Sequence, residues 1–188
     1  MSTRGLVQPG DNGLFLPKVP RLSHCPHSES ASRRGQTHLH SRIMDPFLHS
    51  ALEEAKKGLS EGGIPIGSVL VHKREIIGRG HNQRVQRGSV VHHGEMNCLE
   101  NAGRQSAEIY RQSTLYTTLS PFPMCTGAIL LYGIPKVVIG ENTTFLGAED
   151  SLRAAGVCVE VLQDPGCIRM MCEFIEKNPE LWNEDIGR

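Results

Sequence analysis

Between Thr114 and Lys177 the sequence alternates short β-branched and aliphatic runs with longer helical ones, and this alternation constrains the fold more than any other feature. Residues 114–118, 136–140 and 157–162 read as strands, while 124–132, 147–155 and 165–177 read as helices. Strands joined through helices run parallel, and a parallel sheet needs both faces covered. Upstream, 66–71 and 75–80 flank the polar triplet His72, Lys73 and Arg74 and read as an antiparallel hairpin. Ahead of the hairpin, Asp45 reads as a helix N-cap with Pro46 at the first helical position. Phe47, Leu48, Ala51, Leu52, Ala55 and Leu59 then share one helical face, and Gly62-Gly63 ends the helix. A polar loop over 81–92 and a helix over 94–104 complete the pattern. The expectation is an α/β chain with a mixed central sheet between helical layers.

Charge narrows the partners. The whole chain is formally neutral, but residues 1–43 carry six Lys or Arg against two acids, which leaves the remainder at −4. A mildly acidic domain lacks the basic footprint that grips a phosphate backbone, so a nucleic-acid polymer is not the expected substrate and a small neutral molecule is. No apolar run approaches the roughly 18–20 residues of a membrane span, so no membrane partner is expected. The six cysteines have no regular spacing and read as buried thiols plus a metal ligand rather than as a disulfide framework.

Residues 1–43 are rich in Ser, Arg, His, Gly and Pro and show no apolar periodicity. They are expected to be a disordered or targeting extension ahead of a domain over 44–188, with Met44 as an alternative start. An Arg- and Ser-rich, acid-poor stretch also fits a mitochondrial transit peptide. Without such targeting the expected location is cytoplasmic, with the nucleus open.

Two short motifs carry the chemistry. His93-Gly94-Glu95 opens one helix, and Pro121-Phe122-Pro123-Met124-Cys125 leads from a strand into another. In zinc deaminases the pattern is H-x-E followed by P-C-x-x-C, in which the His and both Cys bind zinc and the Glu moves protons. Two helix N-termini brought to one ion suit this chemistry, because their partial positive ends favour thiolate over thiol. Three protein ligands leave zinc an open position at which bound water ionises near pH 7.

Over about 44–188 the chain resembles the fungal cytosine deaminases, a branch of the cytidine-deaminase-like superfamily. The resemblance rests on GGIPIG at 62–67, GRGHN at 78–82, HGE at 93–95, LENAGR at 99–104, TLYTTLSP at 114–121, MCTGA at 124–128, YGIP at 132–135, GEN at 140–142 and WNEDIG at 182–187. It implies a three-layer α/β/α fold and a homodimer whose interface is formed by the helices after the two motifs. It implies one zinc per chain, with His93 and Cys125 as ligands and Glu95 as general acid and base. It further implies that the side chains of Asn82 and Asp185 bind the edge of a nucleobase, with backbone contacts from Gly94 and Ser120, and that Phe145 and Trp182 wall the ring. The implied activity is hydrolysis of cytosine to uracil and ammonia in pyrimidine salvage.

One position departs from the pattern. The family's first thiolate ligand is replaced here by Phe122, which cannot coordinate a metal. Two alternatives therefore stand beside the enzyme: an impaired relative that binds a base or partners an active paralogue, and a deaminase of a different small heterocycle.

Overall fold

The computed structural model describes residues 45–188, so the expected extension over 1–43 and the boundary at Met44 lie outside the described residues. Helix α1, Pro46–Ser60, starts as its sequence predicts: the Asp45 carboxylate accepts from the N–H groups of Phe47 at 2.9 Å and Leu48 at 3.2 Å. It buries Leu48, Ala51, Leu52 and Ala55.

Strands β1, Gly67–His72, and β2, Glu75–His81, pair antiparallel through the two-residue turn Lys73-Arg74. Both turn residues have positive φ, 48° and 68°, which matches the twist of the flanking strands. The loop expected over 81–92 contains a short helix α2, Arg84–Arg87, closed by left-handed Gly88. Helix α3 spans Gly94–Ala102 and ends two residues early, because Gly103 takes φ +71° and leaves the helical path. The remainder is α4 Ala107–Arg111, β3 Ser113–Leu119, α5 Pro123–Tyr132, β4 Lys136–Glu141, α6 Glu149–Ala154, β5 Cys158–Val161, α7 Pro165–Lys177 and α8 Pro179–Asp185.

The sheet order is β2-β1-β3-β4-β5, antiparallel on the hairpin side and parallel from β3 onward. Its residues alternate between two cores. Leu70, Leu115, Val137 and Ile139 face Cys98, Leu99, Ala102, Tyr110, Ile129 and Leu152 of helices α3 to α6. Val69, Val71, Tyr116 and Val138 face Leu48, Ala51 and Leu52 of α1 and Cys167 of α7. A one-residue slip of any strand would exchange these faces, so two buried cores fix the register. The result is the expected three-layer α/β/α arrangement around a mixed sheet.

A third cluster lies beside the C-terminal end of β3, where Ile64, Ile66, Leu119, Phe122, Met171, Phe174 and Trp182 pack together. Helix α8, which the sequence does not foretell, brings Trp182 and Asp185 to this cluster. No helix among the described residues is long and apolar enough to cross a membrane.

Candidate active site

The site is built from two helix starts. His93 caps α3 with φ −63° and ψ 163°, and Phe122 caps α5 with φ −66° and ψ 162°. Neither side chain caps its own helix, so both are available to the space between the helices. Gly94 is required at the first turn of α3, since a Cβ there would meet the Ile66 carbonyl oxygen at 2.9 Å. That same carbonyl accepts the N–H of Asn82 at 2.8 Å, which ties the end of the hairpin to the helix start.

Glu95 is 1% exposed. One of its oxygens accepts from the Thr117 hydroxyl on β3 at 3.0 Å, and Oε2 has no partner within the chain. Cys125 is fully buried in the first turn of α5, close to Glu95. Burial, and then the nearby Glu95 and Asp185 carboxylates, push its thiol well above the ordinary range. The buried Nδ1 of His93 is likewise unpaired within the chain.

Asn82 and Asp185, which the resemblance implies to bind a base, come from the loop after β2 and from the end of α8. Asn82 uses Oδ1 to accept the Arg84 N–H at 3.0 Å, while its Nδ2 is buried and unpaired within the chain. Asp185, at the end of α8, is held through Oδ1 and its backbone carbonyl by Arg84 Nη1, and its Oδ2 is buried and unpaired. Leaving a buried donor or acceptor unmade costs about 1–3 kcal/mol each. Eight buried side-chain polar atoms among the described residues lack a partner within the chain, and four of them belong to His93, Glu95, Asn82 and Asp185.

Aromatic rings form the walls. Phe145 stacks on Phe122 with centroids 4.4 Å apart, and Trp182 stands edgewise to Phe145 at 6.0 Å and to Phe122 at 6.4 Å. The Phe145 loop is clamped onto the strand end: the Ser120 hydroxyl accepts from Gly147 N–H at 3.0 Å and donates to Glu149 at 2.8 Å. A Cβ at Gly147 would strike the Pro121 carbonyl oxygen at 2.1 Å, so only glycine permits this approach. The Ser120 N–H is spent on the Glu141 carbonyl, so the backbone group this residue can still offer a ligand is its C=O.

A metal finds an incomplete donor set. His93 and Cys125 are present, but among the described residues no group of three or more His, Cys, Asp or Glu side chains is arranged to hold an ion. The Phe122 ring is 8% exposed and meets His93 edge-on at 5.0 Å. Neighbouring donors do not compensate. His92 faces Glu100 at 3.2 Å, and Cys98 lies in the core beneath the sheet. The residues present do not fit a three-ligand zinc site.

Of the residues implied by the sequence resemblance, His93 and Gly94 stand at the start of α3 and Cys125 in the first turn of α5, while Phe145 and Trp182 pack against Phe122. Sequence reasoning missed Arg84, Thr117 and Glu149, which hold Asp185, Glu95 and Ser120. Each partner lies 22 to 101 positions away, and no local pattern signals it.

This arrangement, two helix starts beside a five-stranded mixed sheet, is that of the cytidine-deaminase-like fold. The family described as the cytidine and deoxycytidylate deaminase zinc-binding region matches residues 42–141. The chain is similar to cytosine deaminase of Candida albicans, with 55% identity over 141 residues covering 74% of this chain and 94% of that protein. It is also 42% identical over 108 residues to a tRNA-specific adenosine deaminase of Streptococcus pyogenes, covering 56% of this chain and 67% of that one. Among solved structures, one from work on A-to-I editing by tRNA:A34 deaminases superposes with a TM-score of 0.56 at 25% identity, covering 66% of this chain and 97% of that chain. A guanine deaminase from Nitrosomonas europaea, at 20% identity and a TM-score of 0.53, covers 68% of this chain and 82% of its own, and shares the fold. The chain belongs to the cytidine and deoxycytidylate deaminase family.

Proposed function

We propose that the chain is a deaminase of a free nucleobase and that the base is cytosine, converted with water to uracil and ammonia. The observation that carries this reading is the set of unpaired buried atoms between aromatic walls, in a chain 55% identical to a cytosine deaminase. Asn82 Nδ2 is a donor for the ring carbonyl O2, and Asp185 Oδ2 is an acceptor for the adjacent N1–H. Glu95 Oε2 is the acid–base group, carrying protons from the attacking water to N3 and then to the leaving amine. Phe145 and Trp182 hold the ring plane, and Trp182 with Asp185 closes the side on which a ribose would extend. The same closure, together with the acidic balance of residues 44–188, favours a free base over the tRNA substrates named for some relatives.

His93 and Cys125 are the proposed metal donors, and zinc, when bound in this family, activates water. The remaining proposals are a homodimer, a cytoplasmic location and a role in pyrimidine salvage. The dimer is supported by a cleft of about 580 Å³ along α3, α4 and α5, beside the exposed Leu131 and Tyr132. Light scattering on the eluted protein tests it, and a monomer at micromolar concentration would remove it.

Phe122 favours a second reading, a relative that binds a base without turning it over or that partners an active copy. The deciding experiment supplies the purified chain with zinc and follows ammonia release from cytosine, cytidine, guanine and adenine. Release from cytosine alone supports the proposed reaction, and release only from another base reassigns the substrate. Cytosine binding without release supports the second reading.

A further inference from the structure

The disagreement between family and donor set has a structural cause in the ring of Phe122. Its backbone matches that of His93 to within a few degrees, so residue 122 is placed to face the same space from the opposite helix. A phenyl group fills that space: edge-on to His93 at 5.0 Å, stacked on Phe145 at 4.4 Å and almost fully buried. A two-donor site loses one of the charges and one of the directions that fix a tetrahedral ion.

We infer that this chain holds zinc only as a loosely bound, exchangeable ion on His93 and Cys125, and that Phe122→Cys by itself converts the site into a tightly held three-donor one. The inference rests on the deaminase reading of the pocket but concerns the metal alone. The base-facing groups are anchored elsewhere, Asp185 by Arg84 and the Phe145 loop by Ser120 and Pro121, so they need no metal to hold their positions. Base binding and metal retention are therefore separable properties of this molecule.

Loss of a group that merely orients a metal ligand lowers affinity about 10–100-fold, so loss of a ligand itself sets about 100-fold as the least difference expected between the two forms. The experiment takes the full chain as purified, the Phe122→Cys variant, and a His93→Ala/Cys125→Ala variant that reports any zinc bound elsewhere, including by the histidines of residues 1–43. Each is dialysed against a chelator and then against metal-free buffer. Zinc per chain is measured by atomic emission, and affinity by competition with a chromophoric chelator.

The expected result is less than about a tenth of an equivalent retained by the natural chain and about one by Phe122→Cys, with affinities at least about 100-fold apart. Retention of a full equivalent by the natural chain above the double-variant background overturns the inference. Equal affinities in the two forms overturn it as well. Should Phe122→Cys fail to fold, the natural chain against the double variant still decides: weak zinc binding that disappears in the double variant upholds the two-donor site, and binding that persists overturns it. Calorimetry with cytosine on the metal-free natural chain is the separate arm. Absence of binding there removes the base-pocket reading and leaves the metal result standing.

Discussion

The starts of α3 and α5 are close to copies of each other in backbone and opposites in chemistry. Both begin from an extended cap residue whose side chain makes no cap hydrogen bond, and both carry a candidate site residue in the first turn, Glu95 on one and Cys125 on the other. At the caps themselves, however, one carries an imidazole and the other a phenyl ring. The comparison teaches that the backbone geometry of such a site can be kept by packing alone. The α5 start is held by Pro123 at its first turn, by the Ala148 N–H on the Pro121 carbonyl at 3.0 Å, and by the rings of Phe145 and Trp182. None of these contacts requires a metal ligand.

Substitutions at five positions test that contrast. The largest effect is expected on the α3 side: Glu95→Gln keeps the shape but removes the proposed acid–base group, which is worth about 100- to 10,000-fold in rate. Uracil formation with zinc supplied measures it, and an unchanged rate would place the proton transfer elsewhere. On the α5 side Phe122→Ala should act on stability instead. It removes a buried ring stacked on Phe145 and edgewise to His93 and Trp182, and should cost about 3–5 kcal/mol, whereas His93→Ala removes an unpaired nitrogen and should cost about 1 kcal/mol or less. Urea denaturation of both variants checks the difference, and equal costs would mean that the two caps are not opposites in role.

Away from both helix starts, Arg84→Ala leaves the buried Asp185 carboxylate without its cation. A hydrogen bond to a charged group is worth about 1.5–3 kcal/mol, so cytosine affinity measured by calorimetry should fall roughly 10- to 100-fold, with partial recovery in Arg84→Lys. A drop in thermal stability with unchanged affinity would assign Arg84 to the fold rather than to the pocket. The smallest effect is expected at Ser120→Ala. Glu149 keeps its bonds to Asn142 and Arg153, so only the link to the Phe145 loop is lost, at a cost of about 1 kcal/mol. Thermal denaturation registers that loss.

The sequence made the long elements readable because their periodicity extends over several turns. Helices α1 and α7 begin at Asp-Pro pairs whose carboxylates cap them, and the strands alternate between the two cores. Helices α2, α4 and α8 have four, five and seven residues, too few for a helical period to emerge, and they form because tertiary contacts hold them. In the site, His93, Glu95 and Cys125 were legible through spacing. Asn82, Phe145, Trp182 and Asp185 were legible only through the resemblance, since an Asn after a strand or an acid in an acidic run has ordinary structural uses. Arg84 was not legible at all, because its partner lies 101 residues further along the chain.

That long-range pair has a practical corollary. Asp185 stands three positions before Arg188, and one wall of the pocket rides on a seven-residue helix that ends there. The proposed ligand-binding side of this molecule is therefore closed by the last described helix of the chain. A protease nick between α7 and α8 would detach Trp182 and Asp185 from the proposed pocket while leaving the sheet and its two cores intact.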